Sequence, residues 1–412
     1  MTIRFTTRAA VAAMALTVSS AFAENVKIAF IDPLSGPFGP VGINLLNSWQ
    51  YAVELANKNR WAGDNTFEIV PFDNKANPQE TATLLKGAVD KGFRYVIQGN
   101  GSGAAFALLD ALDKHNTRNP GKEVVYLNHA AVDPDLTNSK CSFWHFRFDT
   151  NIDQKMDAMT TFMAEDKTVK KVYVFGQDYA FGHQVSRYTK DYLKRKRSDI
   201  EIVGDHLHPI GQVKDFAPYV AKIKAAGADT VITGNWGPDL VLFMKAAKDY
   251  GLNAKINTLY AATLGVPPTM GPDGAGRVRQ ISAWHANASG MLSAEVATGQ
   301  KSKFKEDLIL AAPYAGMAVL AAGIKKAGTT DPTKVALAME DVEVQALNGT
   351  VRMRRSDHQL QQAQYVSVWA KVDGQSVKYD QEGTGYGWKT EKAFDIKAGE
   401  QPTSCQMKRP AS

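Results

Sequence analysis

Gly99-Asn100-Gly101-Ser102-Gly103-Ala104 satisfies the pattern G-x-G-x-x-[GA] between an apolar strand and a helical segment. In a dinucleotide enzyme such a loop lets the backbone approach a pyrophosphate, and an acid at the end of the next strand holds the ribose. Here the next strand, Glu123 to Leu127, runs into Asn128-His129 and supplies no acid. No nicotinamide, flavin or other cofactor is therefore expected. The same loop suits anion capture. A helix N-terminus presents unpaired N–H groups and a partial positive charge, and the Ser102 hydroxyl can add a donor to a carboxylate. The alternative use of Ser102 is to N-cap its own helix.

Other chemistry is poorly supplied. The chain has no G-x-S-x-G, no H-E-x-x-H and no paired-carboxylate motif, so no enzymatic activity is expected. His206 and His208 share one face of a strand, but no Cys, Asp or Glu completes a ligand set. They read as surface histidines, and no metal is expected. Asp215 reads as a helix N-cap, and Asp357-His358-Gln359 as a polar turn. Phe38, Tyr179, Phe181, Trp236 and Tyr260 all fall at strand-to-helix junctions. Each could pack in a core or wall a ligand pocket.

The elements that must carry these residues repeat. Strand Val26 to Ile31, a Gly/Pro-rich loop and a helix from Gly42 to Asn57 come first. Strand Phe67 to Phe72, helix Pro78 to Lys91 and strand Tyr95 to Gln98 follow. The rhythm restarts at Lys171 to Phe175, then Ile200 to Val203, Phe216 to Ala226, Thr230 to Thr233, Pro238 to Tyr250 and Lys255 to Tyr260. Apolar strands alternating with helices predict parallel sheets covered on both faces. KGFRYVIQGN (Lys91 to Asn100) is echoed by AGADTVITGN (Ala226 to Asn235), which favours two related α/β lobes over one large sheet. Beyond Trp284 the pattern predicts helices over Lys303 to Ala311, Tyr314 to Ala327 and Thr333 to Glu340, then strands over Gly349 to Arg354 and Gln364 to Val372. Ligands of open α/β sheets sit at the carboxyl ends of strands, so the site is expected in a cleft between facing loops.

The N-terminus reads as an export segment. Arg4 and Arg8 precede the apolar stretch Ala9 to Val18, and Ala21-Phe22-Ala23 supplies an A-x-A cleavage signal, placing the mature start at Glu24. No cysteine lies near that site, so a periplasmic protein without a lipid anchor is expected. In an oxidising compartment Cys141 and Cys405 read as one disulfide tying the C-terminal end to the first half. Two free buried thiols are the alternative. The 412 residues, 44% hydrophobic and 22% charged, are globular in composition. No internal apolar run reaches membrane-spanning length. A formal charge of +6 is mild, and the basic run Lys190 to Arg197 reads as a solvated helix face, so no nucleic-acid partner is expected.

VKIAFIDPLSGPFGPVG, YVIQGNGSGAA, NHAAVDPDLT, FGQDYAFG, TVITGNWGPDL and RMRRSDHQLQQAQYVSVW, in this order, resemble the leucine/isoleucine/valine-type periplasmic binding proteins of ABC importers, with the type I periplasmic-binding fold. The resemblance covers essentially the whole mature chain. It implies α/β architecture: two Rossmann-like lobes with parallel sheets, joined by a multi-strand hinge. Residues 1–23 would be the export segment. Residues 24–148 with about 284–355 would form the first lobe, 149–283 with about 356–380 the second, and 381–412 a tail. It also implies a monomer that captures a small carboxylate and delivers it to an inner-membrane ABC permease. A ligand-sensing receptor feeding a signalling partner is the alternative.

By this resemblance Gly101, Ser102 and Ala130-Ala131-Val132 bind the carboxylate and part of the ammonium of an amino acid. Val41, Phe181 and Trp236 take the positions of its apolar and aromatic wall. After the strand ending at Tyr260 the family places an acid against the ligand ammonium; this chain has Ala261. A buried ammonium without a counter-charge is costly. Either Asp178 or Asp239 substitutes, or the ligand is an aromatic or 2-oxo acid with no ammonium.

Overall fold

The computed structural model describes residues 23–288 and 290–410. The export segment expected at 1–23 lies outside these residues save for Ala23. The first sheet is built from β1 (Asn25–Asp32), β2 (Thr66–Asp73), β3 (Tyr95–Gln98), β4 (Val125–Asn128) and β5 (His145–Arg147). The helices α1 (Gly39–Lys58), α2 (Pro78–Asp90) and α3 (Ser102–Arg118) connect its first four strands. Every pairing is parallel, in the order β2-β1-β3-β4-β5.

The second lobe repeats this plan. After α4 (Ile152–Glu165) come β6 (Lys171–Gln177), α5 (Ala180–Lys196), β7 (Glu201–His208), α6 (Ala217–Ala225) and β8 (Thr230–Thr233). The helix α7 (Gly237–Asp249), β9 (Lys255–Thr258), the short α8 (Val266–Met270) and β10 (Val278–Ser282) complete the set. Read from its other edge, the parallel part runs β7-β6-β8-β9-β10, the order of the first sheet. The two echoed stretches occupy β3 and β8, the third strand of each lobe. Both strands are buried throughout and share a Val-Ile centre, Val96-Ile97 and Val231-Ile232, as strands covered on both faces should.

The helices α9 (Met291–Phe304), α10 (Ala312–Ala327) and α11 (Pro332–Met339) return to the first lobe, where α10 packs on α1. The strands β11 (Glu343–Ala346), β12 (Gly349–Met353) and β13 (Leu360–Gln361) form a small antiparallel sheet. Then β14 (Gln364–Lys371) and β15 (Tyr386–Phe394) add two antiparallel strands beside β10. The stretch 381–412 is thus not simply a tail, because β15 completes the second sheet. Nor do Lys303 to Ala311 form a helix of their own: α9 ends at Phe304, and Lys305 adopts φ 63. The side chains of Asn44 and Asn47 hold Glu306, and Asn44 also holds the Asp307 carbonyl.

Among the described residues the chain crosses between lobes after β5, after β10 and between β12 and β14. Buried polar groups lock these crossings together. Arg147 Nε donates to Gln359 Oε1 (2.6 Å), and Arg147 N donates to the His358 carbonyl. Gln359 Nε2 and Gln362 Nε2 donate to the carbonyls of Asp149 and Phe148, and Asn348 Nδ2 links Ala283 O to Gln362 Oε1. The polar turn expected at Asp357-His358-Gln359 lies between β12 and β13 and is interior, because a hinge made of crossing strands must satisfy its backbone from within. His208 is likewise no surface histidine. It is fully buried beside Phe175 and Phe216, with Nε2 3.0 Å from Asn235 Oδ1; His206 is partly exposed. Asp215 Oδ1 accepts from Ala217 N, but it stands one residue before the N-cap position of α6, which is Phe216 and has no side-chain cap.

Cys141 and Cys405 form the expected disulfide. The segment that reaches it after β15 is held by Gln154 Nε2 on Gly399 O and by Arg354 Nη1 on Gln401 O. It makes a further tie between the lobes.

Candidate ligand-binding cleft

In both sheets the strand order reverses around the first strand, and the loops after the first and third strands diverge there to leave a crevice. The crevices of the two lobes face each other. Between them lies a cavity lined from the first lobe by Val41, Leu45, Gly99 to Ser102, Ala130, Ile309 and Leu310. The second lobe contributes Tyr179, Phe181, Trp236, Tyr260 and Thr263.

The polar end is the start of α3. Gly101, at φ 91, occupies the N-cap position with no side-chain cap, and Ser102 is the first helical residue. The Ser102 hydroxyl is therefore not spent on capping, and its residue is 2% exposed. The loop before it is held from behind by Asp32. Its carboxylate accepts from Gly99 N, Asn100 N and Asn100 Nδ2 (2.7 Å), and lies 3.1 Å from His129 Nε2. Gln98 joins this cradle and is itself fixed by the Tyr126 hydroxyl. With these groups spent on Asp32, the donors left for a ligand are those at the helix start.

The opposite wall is aromatic. Trp236 Nε1 donates to the Tyr179 hydroxyl (2.8 Å). Burial pushes the Tyr179 phenol well above its ordinary pKa, so it keeps its proton and can donate it. Phe181 lies between Tyr179 and Tyr260, with ring centroids 5.7 and 6.0 Å away. The Tyr260 phenol is also pushed up, by burial and then by Asp149. Its oxygen lies 3.3 Å from Asp149 Oδ2 and 3.4 Å from Lys155 Nζ. Lys155 is 1% exposed and pairs with Asp149 at 2.7 Å. Burial lowers its pKa, and the Asp149 carboxylate opposes that shift. Its ammonium also sits 4.6 Å from the Tyr260 ring centre.

Several expected site residues fall outside the lining. Ala131 and Val132 are buried behind Ala130. Asn128 Oδ1 accepts from Ala131 N, and Val132 O accepts from Ile152 N. Ala261 points into the second lobe's core, because the turn closed by Thr263 N on Tyr260 O aims Tyr260 and Thr263 at the cavity instead. Phe38 packs behind Trp236. Neither proposed substitute acid reaches the cavity: Asp178 is exposed beside His183, and Asp239 is buried between Gln177 and Gly211. No Asp or Glu occurs among the described lining residues. Leu45, Thr263, Ile309 and Leu310 were missed. Leu45 lies one turn along α1 from Val41 and could have been found by helical spacing. Ile309 and Leu310 were hidden by the helix expected over them.

Among the described residues no three His, Cys, Asp or Glu side chains are placed to hold a metal ion, and no helix is long and apolar enough to cross a membrane.

The sequence matches the family model described as periplasmic binding protein over residues 25–375. It is 33% identical over 425 residues to a Leu/Ile/Val-binding protein homolog 4 of Brucella melitensis, across the full length of both chains. A solved structure of a leucine-, isoleucine-, valine-, threonine- and alanine-binding protein from Brucella ovis, in a closed conformation, is similar at a TM-score of 0.84 and 32% identity. It covers 94% of this chain and 100% of that one. A solute binding protein from R. palustris, solved with 4-hydroxybenzoate, shares the fold at a TM-score of 0.76 and 21% identity, covering 90% and 97% of the two chains.

Proposed function

This chain belongs to the periplasmic binding protein family, and from that premise we propose that it captures a small apolar carboxylate without an ammonium group, an aromatic or branched 2-oxo acid or a benzoate-type acid. The single observation that carries this reading is the polarity of the cavity. It offers donors from Ser102 and the α3 N-terminus at one end and from the Tyr179 hydroxyl on the facing wall, and no acidic side chain anywhere in its described lining. A carboxylate is matched by such donors. A desolvated ammonium would face a helix N-terminus and aromatic walls with no counter-charge.

The ligand bridges both lobes, and closure is stabilised because only the closed form presents both walls to it. The closed protein is recognised by an ABC permease of the inner membrane. The binding protein itself works as a monomer in the periplasm, freed by cleavage of its N-terminal segment after Ala23. No covalent step is involved.

A second reading, a hydrophobic amino acid as ligand, is favoured by the name of the 33% identical relative. Matched pairs separate the two. Protein stripped by unfolding and refolding under non-reducing conditions is titrated by calorimetry. Leucine is set against 4-methyl-2-oxopentanoate, and phenylalanine against phenylpyruvate, with benzoate beside them. Each pair differs chiefly in the amine. The 2-oxo acids are expected to bind more tightly by about ten-fold or more, since each 1.4 kcal/mol of unpaired-ammonium cost is a factor of ten. Tighter binding of the amino acids would overturn the proposal.

A further inference from the structure

Phe38 ends the loop between β1 and α1, where Ser35, Gly36 and Pro37 are all exposed, as is Pro40 in the first turn of α1. Phe38 itself is only 8% exposed, and much of what covers it comes from the other lobe. Its ring lies 4.5 Å from the Trp236 ring, tilted by 41°. Two glycines from separate second-lobe loops close around it: a Cβ built on Gly211 or on Gly237 would come within 3.1 Å of Phe38 ring atoms. Both glycines also have positive φ, 68 and 58, so a side chain at either would be strained as well as crowding the ring.

This socket is assembled within the second lobe. Asp239 is 1% exposed and its Oδ2 accepts from Gly211 N and Gln177 Nε2, both at 2.8 Å. Gln177 Nε2 also lies 3.2 Å from Trp236 O. One buried carboxylate thus ties the two glycine-bearing loops together. Trp236 is held by Tyr179 of its own lobe, so its orientation does not depend on Phe38. The opposing knob is equally fixed. Asp73 accepts from Leu34 N and Lys75 N, both at 2.9 Å, and from the Ser35 hydroxyl.

We propose that Phe38 and its Gly211–Trp236–Gly237 socket form an inter-lobe latch that governs how long the closed state lasts without choosing the ligand. The latch deepens the reading of a cleft that closes on its cargo and rests on it. Knob and socket meet outside the ligand cavity, whose lining includes Trp236 but not Phe38. Their contact is made afresh at each closure and is the same for every ligand. Asp239 is a positioning residue for the socket and not a counter-charge for an ammonium.

The test is Phe38→Ala, followed by tryptophan fluorescence in stopped flow with two ligands of different size from the panel above. Dissociation is expected to quicken by about ten- to a hundred-fold for both ligands by the same factor, with association little changed, as loss of one buried aromatic contact implies. Phe38→Leu, which keeps an apolar knob, should recover part of the loss. Small-angle scattering on ligand-free protein supplies a readout that needs no ligand: the alanine variant should have a larger radius of gyration than the parent. Loss for one ligand only would make Phe38 a selectivity residue and overturn the latch. Unchanged dissociation with unchanged scattering would overturn it too. If no panel ligand binds, the ligand reading fails on its own, and scattering still decides the latch.

Discussion

The cleft and the hinge both lie between the lobes, and both are buried, yet their chemistry is opposite. Val41, Leu45, Phe181, Trp236, Ile309 and Leu310 make the cleft wall largely apolar. Arg147, Asp149, Lys155, Gln359 and Gln362 make the hinge behind it polar and charged. Hydrogen bonds are directional, and a buried one left unmade costs about 1–3 kcal/mol. A hinge of such bonds keeps the crossing segments in one register while the lobes turn. Apolar contact is non-directional and roughly proportional to area, so a wall of that kind can part and re-form. The division also explains where charge is allowed: Lys155 and Asp149 neutralise each other beneath Tyr260, and the wall above carries no carboxylate.

Arg147→Met is the most severe way to break this contrast. It makes the hinge resemble the cleft and strands the acceptors of the guanidinium: Gln359 Oε1, the Asp133 carbonyl and Thr137 Oγ1. A loss of about 3–5 kcal/mol in unfolding free energy is expected in urea, and a change under 1 kcal/mol would show that the network is not structural. On the other side, Trp236→Ala should cost a large apolar ligand about 2–4 kcal/mol of binding free energy in calorimetry and a small one less. Equal losses would argue against a wall role. Ser102→Ala should weaken a carboxylate by about 1–3 kcal/mol while stability in urea stays near the parent value. A matching fall in stability would mean the hydroxyl serves the fold.

The smallest effect tests the edge of the hinge. Glu382 accepts from Gly265 N, and its own N–H donates to Asp307 across the lobes. Burial pushes its carboxyl up to about 7 from an ordinary 4.5. A carboxyl raised on folding is ionised earlier in the unfolded chain. It therefore subtracts stability progressively between the unfolded and folded values and by a constant amount above them. Glu382→Gln should accordingly be more stable than the parent above pH 7, with the difference closing below about pH 4.5. A difference independent of pH would remove the titration from the explanation.

Much of this architecture was legible in the chain. The βα rhythm and the echo at Asn100 and Asn235 predicted paired lobes, and the repeated strand order of the two sheets bears this out. Tyr179, Phe181, Trp236 and Tyr260 stand at strand-to-helix junctions and Ser102 at the glycine-rich helix start, and all line the cavity, whereas Phe38, also at a junction, does not. The misreadings share a cause. Lys303 to Ala311 has helical composition, but Lys305 turns the chain and Asn44 holds the Asp307 carbonyl. His208 reads as a surface histidine, but it is buried with its Nε2 against Asn235 Oδ1. In each case a partner far along the chain overrode local propensity.

The sequence by itself determined the alternation of buried strands and helices, the placing of small and aromatic residues at the strand ends, and the alanine where the family resemblance places an acid. These are local properties, set by periodicity and residue type. Only the tertiary structure decided that Asp32 secures the glycine loop from behind, that Asp239 is spent on a socket, that Ile309 and Leu310 reach the cavity, and that Phe38 meets the opposite lobe. Those outcomes depend on which distant side chains packing brings within a few ångströms, and a buried polar group is committed to whichever partner lies there.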